Sequence, residues 1–167
     1  LSIHSFPTRR SSDLSFWQPR NISYTLPIIV DGIPWPALEK LELSTARLSA
    51  ASIMTMLSNS KQSLTGISFH LMTLGNDSAW AELLSRIGNE FPHLTSFKLT
   101  NLSEGSTISF LDLDKDPVVI EPYKTGLKLV RRNPVGHPKR IPGVVYEGPN
   151  ADHLLRIVAG CAVAVPR

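Results

Sequence analysis

The sequence predicts an α/β protein, namely a short leucine-rich-repeat solenoid with parallel strands on its concave face and helices on its convex face. Three hexads of the form LxxLxL begin at Leu38, Leu64 and Leu94, which places them 26 and 30 residues apart. Leucine-rich repeats recur every ~20–29 residues, so the spacing fits that period at or near its upper edge. A final strand and helix would cap the open end of the solenoid.

The three hexads are expected to be strands that share one apolar face. They read LEKLEL (38–43), LTGISF (64–69) and LTSFKL (94–99). Because side chains alternate along a strand, the inner apolar residues of each hexad lie on the same side. One repeat cannot bury that side alone, whereas three repeats stacked in parallel form a continuous core.

The repeats are degenerate in their second halves. An apolar residue is expected ten positions after the first leucine, and Leu48 and Leu74 satisfy this whereas Glu104 does not. The asparagine ladder of regular repeats is missing as well. We therefore expect about three irregular repeats rather than a long, uniform arc.

Helical patterns occupy the segments between the hexads. Trp80, Leu83, Leu84 and Ile87 follow helical spacing, and range 50–59 carries a shorter stripe of the same kind. An ordinary α/β domain with chance leucine spacing is the alternative. The coincidence of hexads, tenth positions and prolines placed before two hexads favours repeats.

The chain is expected to divide into five segments of different character. They are a sequencing artefact without fixed structure (1–14), an irregular N-terminal segment (15–34), the leucine-rich repeats (35–113), a basic Pro/Gly-rich loop (114–143) and a C-terminal strand and helix (144–167).

The first segment resembles a translated sequencing adapter. Residues 4–14 read HSFPTRRSSDL, and Phe6 to Leu14 match one reading frame of a common short-read adapter without a gap. Such scars are left out of fold reasoning. We expect the natural N-terminus to lie upstream or to have been misassembled, so that the chain is a fragment. The alternative is a real Ser/Arg-rich arm that could be a localisation signal.

Composition sets broad limits on the partners. The hydrophobic fraction is 42%, the charged fraction 19% and the formal net charge +3, which is typical of a globular domain. This charge is too weak to indicate a nucleic-acid or membrane partner. The single cysteine, Cys161, favours an intracellular protein, cytoplasmic or nuclear.

No motif predicts catalysis, a cofactor or a metal site. A nucleophile elbow, a phosphate loop and a dinucleotide fingerprint are all missing. Asp112, Asp114 and Asp116 resemble the start of a calcium loop, but Pro117 replaces the required glycine. We therefore expect no enzyme. A small α/β enzyme is a distant alternative that would need a clustered set of titratable groups.

A binding surface is expected on the exposed side of the repeat strands. A solvated sheet face is the simpler interpretation of each single residue, and a protein-docking patch is the functional one. The candidate protein-binding residues between the core positions are Lys40, Glu42, Ser44, Gly66, Ser68, His70, Ser96, Lys98 and Thr100.

A second candidate surface is basic. Range 122–146 contains several lysines and arginines and no acidic residue, together with prolines and glycines. An exposed loop is the simpler interpretation, and a basic docking strip or nuclear-import signal is the alternative. Because aromatic residues are not interleaved with the charges, base stacking on nucleic acid is not expected.

Three stretches carry a family resemblance. PALEKLELSTARLS (36–49), IGNEFPHLTSFKLTNLSEGS (87–106) and VVYEGPNADHLLRIVA (144–159) make the chain similar to the degenerate repeat region of fungal F-box-type proteins. That resemblance implies a substrate receptor of a cullin-type ubiquitin ligase, whose F-box docks the adaptor. Leu26-Pro27 is followed by a proline-broken stretch that cannot be the F-box helix, so an adaptor contact is not expected here.

The sequence thus predicts a non-catalytic protein-interaction scaffold, a fragment of an F-box-like leucine-rich-repeat protein. The alternative is a purely structural or capping piece with no ligand of its own.

Overall fold

The computed structural model describes residues 13–16, 37–75, 78–111, 113, 117–132 and 140–165. None of the helices in these ranges is long and apolar enough to cross a membrane. Within these ranges the elements, in chain order, are β1 (Asp13–Phe16), β2 (Lys40–Ser44), β3 (Arg47–Leu48), α1 (Ala50–Leu57), β4 (Gly66–His70), β5 (Thr73–Leu74), α2 (Trp80–Glu90), β6 (Ser96–Thr100), β7 (Ser103–Glu104), β8 (Ser106–Phe110), α3 (Pro117–Ile120), a 3₁₀ turn (Glu121–Tyr123), β9 (Leu127–Arg132), β10 (Arg140–Glu147), α4 (Ala151–Gly160) and β11 (Ala162–Val165).

The strands form two mixed sheets. The six-stranded sheet has the order β1-β2-β4-β6-β10-β9. Its first four strands are parallel, and β10 is antiparallel to both β6 and β9. The five-stranded sheet has the order β11-β8-β7-β5-β3. Strands β3, β5 and β7 are parallel to one another, and β8 is antiparallel to both of its neighbours, β7 and β11.

The prediction of a leucine-rich-repeat solenoid is therefore wrong. The hexads do pair in parallel as β2, β4 and β6, but both sheets are small and mixed, and the chain is a mixed α/β protein. A solenoid would add each further strand in parallel on the same edge. Here the next strand on β6 is the antiparallel β10.

The chain after β6 takes a different course from the chain after β2 and β4, and the cause lies in the residues that follow β6. Gly105 has a φ of 81° and turns β7 directly into the antiparallel β8. Glu104, which breaks the apolar pattern, accepts a hydrogen bond from the Trp80 backbone nitrogen at 2.6 Å. This hydrogen bond caps the first turn of α2, because the N-cap residue Ala79 forms no side-chain capping hydrogen bond of its own. A helical return after β7 is thereby replaced by a hairpin.

One hydrophobic core lies beneath the six-stranded sheet. The strand register places Leu41, Ile67 and Phe97 side by side, and a second row follows two residues later. The members of both rows are at most 4% exposed. The stripe predicted for α2 is buried in the same core, where the ring of Trp80 lies 5.6 Å from that of Phe69.

The C-terminal segment extends both sheets instead of capping a solenoid. β10 joins β6, and α4 ends at Gly160, after which β11 pairs with β8. α4 lies directly on α2, because Gly88 leaves room for the Asp152 carbonyl and the Arg156 side chain. Arg156 donates a hydrogen bond to the Gly88 carbonyl at 2.8 Å.

Part of the segment that we expected to be a basic loop forms β9 and the start of β10. Leu127 and Leu129 alternate with exposed residues and pack partly buried against the core, which is the pattern of a half-buried strand. Residues 133–139 lie outside the described part of the chain. Of the adapter-like stretch, only Asp13 and Leu14 are described, as part of β1, and of the segment 15–34 only Ser15 and Phe16.

The contact between α2 and α4 yields a stability prediction. A Cβ at Gly88 would meet the Asp152 carbonyl oxygen at 2.8 Å, and a backbone atom cannot swing away. We expect Gly88→Ala to lower the free energy of unfolding by about 1–3 kcal/mol. Chemical denaturation followed by circular dichroism measures this.

Gly160→Ala is the matched control. Nothing lies within 4 Å of its would-be Cβ, so we expect stability to stay level or rise by up to about 1 kcal/mol. Equal stability of the two variants would contradict the close helix contact.

Candidate functional site

The strand register builds a continuous polar surface on the side of the six-stranded sheet opposite the core. One row runs across β2, β4, β6 and β10, and the next row lies two residues further along each strand. We call this surface the sheet face. It consists of Lys40, Gly66, Ser96 and Glu147 in the first row and Glu42, Ser68, Lys98 and Val145 in the second.

A shallow depression lies in the middle of the sheet face. Gly66 has no side chain, and the Ser96 hydroxyl and the Lys40 stem close over it, 2.7 and 3.4 Å from where its Cβ would be, so all three residues line the depression. The depression has a volume of about 210 Å³. Small-molecule sites usually occupy roughly 300–1,000 Å³, so this shape suits a protein side chain better than a whole ligand.

Charged groups of both signs surround the depression. Lys40, Glu42, Lys98 and Glu147 are all exposed. Among the residues that the structure describes, none of these four forms an ion pair, although charges on the helices and turns do. Within the described ranges, the sheet face therefore presents solvent-exposed charge of both signs without an ion-pair partner.

The predicted site residues separate into two groups. Lys40, Glu42, Ser68, Ser96 and Lys98 lie together around the depression, with Gly66 at its centre.

The other three predicted residues, Ser44, His70 and Thr100, form the next row of the sheet. His70 and Thr100 are hydrogen-bonded to each other at 2.7 Å, and Thr100 is buried. This hydrogen bond engages His70 Nδ1 and the Thr100 hydroxyl within the chain, so we leave this row out of the sheet face.

Two residues of the sheet face were missed by the sequence analysis. Val145 and Glu147 come from β10, whose pairing with β6 was not predicted. The sequence does carry a signal for this strand, because the apolar residues Val144 and Tyr146 alternate with Val145 and Glu147. In the structure Val144 and Tyr146 are buried. The sequence predicts a strand within the segment 144–167, but nothing in the local pattern of that strand identifies the strand with which it pairs.

Buried aromatic rings support the sheet face from below. The Tyr146 ring lies 5.8 Å from Phe97 and 5.7 Å from Tyr123, and its hydroxyl donates to the Pro149 carbonyl at 2.8 Å. Burial raises the pKa of Tyr146, and the nearby Tyr123 raises it further. Tyr123 is in turn hydrogen-bonded to His153. These contacts hold β10, the strand that carries Val145 and Glu147, in place beside β6.

The other candidate regions give weaker evidence of a binding site. A groove of about 610 Å³ between α2 and α4 contains Arg86 and Glu90, which are paired with each other. Hydrogen bonds from Arg86 and Lys61 hold the pKa of Glu90 below its usual value. No group of three metal-ligating side chains occurs within the described ranges. Asp112, Asp114 and Asp116 lie outside them.

Comparison with known proteins leaves the sheet face as the basis for a functional assignment. The chain matches no protein-family model, no curated protein and no solved structure. The resemblance to F-box-type repeat proteins stays a prediction, and function has to be argued from the site itself.

Tyr146 yields a prediction about pH. A raised pKa means that the folded state favours the neutral phenol, so both states are neutral below the ordinary tyrosine pKa of about 10. Above that pH the unfolded chain ionises first, and the free energy of unfolding falls as pH rises. Denaturation midpoints between about pH 8 and 11 measure this slope.

Tyr146→Phe is the control, since it removes the titrating group and keeps the ring. The variant starts from a lower stability because the hydrogen bond to Pro149 is lost. Its stability should fall less steeply with pH than that of the unchanged chain. Identical slopes would show that Tyr146 ionises as freely in the folded state as in the unfolded state.

Proposed function

We propose that this chain is a non-catalytic protein-interaction module that binds a partner protein through the sheet face. The observation that carries the proposal is the set of four exposed charges without ion-pair partners among the described residues, arranged around the Gly66 depression. The flat surface and the small depression support a protein partner rather than a small molecule.

The unpaired state of these charges supports the proposal energetically. Glu147 and Lys98 occupy diagonal positions on adjacent strands, within reach of long side chains, yet they are not paired. Both remain hydrated and keep their hydrogen-bonding capacity. A partner that brings complementary charges would gain orientation and a faster encounter.

The order of the charges supports a definite orientation of the partner. Lys40 and Glu147 mark the ends of the first row, whereas Glu42 and Lys98 lie in the second. Opposite signs therefore sit at neighbouring corners of the depression. A partner rotated out of position would meet like charges, which suppresses wrong docking.

The narrower role rests on the family resemblance alone. In a cullin-type ubiquitin ligase, the sheet face would hold the substrate. The adaptor would dock on an F-box. The sequence from Leu26-Pro27 onward is broken by prolines and does not match an F-box helix.

Selection from a random peptide library displayed on phage tests the proposal without knowledge of the partner. Peptides selected on the full chain are measured again on a triple variant, Lys40→Glu, Glu42→Lys and Lys98→Glu. Each exposed charge contact contributes about 0.2–1 kcal/mol, so we expect about tenfold weaker binding to the variant.

A second triple variant controls for charge reversal in general. Lys61→Glu, Glu82→Lys and Lys124→Glu repeat the changes at exposed positions outside the sheet face. We expect this control to retain the binding of the selected peptides. If both variants bind equally well, or if no peptide is enriched, the sheet face is not a docking site. A purely structural role would then be favoured.

A further inference from the structure

The end of the sheet next to β9 combines positive charge with apolar surface. Lys98, Val145 and Lys128 lie side by side on β6, β10 and β9. Adjacent strands are about 4.8 Å apart, so the two lysine Cα atoms are separated by about 10 Å with Val145 between them. Both lysine side chains are exposed, and Val145 is half-buried.

The next row adds apolar surface. Gly143 lies between Thr100 and Val130. The Thr100 methyl group and the Val130 Cβ lie 2.7 and 3.2 Å from where a Gly143 Cβ would be, so both side chains close over the glycine. Val130 nevertheless remains 41% exposed. We call Lys98, Thr100, Lys128, Val130, Gly143 and Val145 the basic end.

The positive charge of the basic end has no ion-pair partner among the residues that the structure describes. Within the described ranges, neither Lys98 nor Lys128 forms an ion pair, whereas neighbouring Lys124 is paired with Glu121 at 2.6 Å. The range 122–146 contains no acidic residue. Glu147 is the carboxylate on the sheet face beside it, two residues from Val145 and on the side away from Val130.

We propose that the basic end binds an acidic segment of a partner protein that also carries a large apolar side chain. Carboxylates of the segment pair with Lys98 and Lys128, and the apolar side chain covers Val145 and Val130. Because Glu147 repels acidic groups, the segment lies towards the Val130 row. This inference rests on the proposed function and names the chemistry of the partner where the sheet face, at Lys98 and Val145, adjoins β9.

A simpler role for such lysines is protection of a sheet edge against aggregation. That role explains Lys128, since β9 is the last strand of the six-stranded sheet. It does not explain Lys98, which lies on an interior strand, nor Val130, which is an exposed apolar side chain on the edge strand itself. The arrangement as a whole therefore favours recognition.

Three synthetic peptides of equal length test the inference by fluorescence anisotropy with the full chain. The first alternates glutamate and leucine, the second glutamate and serine, and the third lysine and leucine. We expect the first to bind most tightly and its affinity to fall with added salt. Lys128→Gln should weaken it about two- to fivefold, and Glu147→Gln should strengthen it.

Lys124→Gln is the matched control, because it removes the same charge nearby from a lysine that is paired within the chain. It should leave the affinity unchanged. Thermal melting by circular dichroism verifies that all variants fold.

Equal binding of the glutamate–serine peptide, or an unchanged affinity in Lys128→Gln, overturns the inference. The proposed function survives that result if the library-selected peptides still lose affinity for the charge-reversed sheet face. If those peptides also bind unchanged, both proposals fail.

Discussion

Two buried rows of side chains beneath β2, β4 and β6 determine the rest of the structure. Leu41, Ile67 and Phe97 form one row, and Leu43, Phe69 and Leu99 form the other. Strand side chains alternate in direction, so burying these residues forces their neighbours to the opposite side. A slip of one residue in β6 would place Lys98 in the core and Phe97 in water. The hydrophobic register is thus what holds the charges of the sheet face in order.

The antiparallel strand β10 completes this arrangement. Its buried residues Val144 and Tyr146 continue the two rows beside Leu99 and Phe97, and Tyr146 packs against both Phe97 and Tyr123. The backbone nitrogens of Thr45 and Leu71 donate to carbonyls of the next strand.

Asn101 follows β6 as Thr45 follows β2 and Leu71 follows β4. Its backbone nitrogen, however, donates to the Pro142 carbonyl of β10 and not to a further parallel strand. β10 therefore occupies the place where a solenoid would continue, and it brings Val145 and Glu147 onto the sheet face.

The local elements could be predicted from the sequence because each depends on nearby residues. The hexads identify β2, β4 and β6, and the apolar stripe from Trp80 to Ile87 identifies α2. Five of the eight side chains proposed for binding lie around the depression because period-two alternation alone places them there.

The fold class could not be obtained in the same way. A strand such as β10 pairs equally well in either direction as far as its own alternation is concerned. The direction depends on where the chain goes after β6. Glu104 and Gly105 change that route by forming a helix-start contact and a hairpin. In the sequence pattern Glu104 is only a failed repeat position, and a long-range contact with Trp80 has no signature in the local pattern.

The pairing of β6 with β10 is the central claim, and nuclear Overhauser effects between backbone protons of an isotope-labelled chain test it most directly. We expect contacts that run in opposite directions, from Ser96 with Glu147 to Thr100 with Gly143, beside parallel contacts between β4 and β6. Missing contacts between β6 and β10, or contacts that run in parallel, would contradict the mixed sheet and the sheet face built on it.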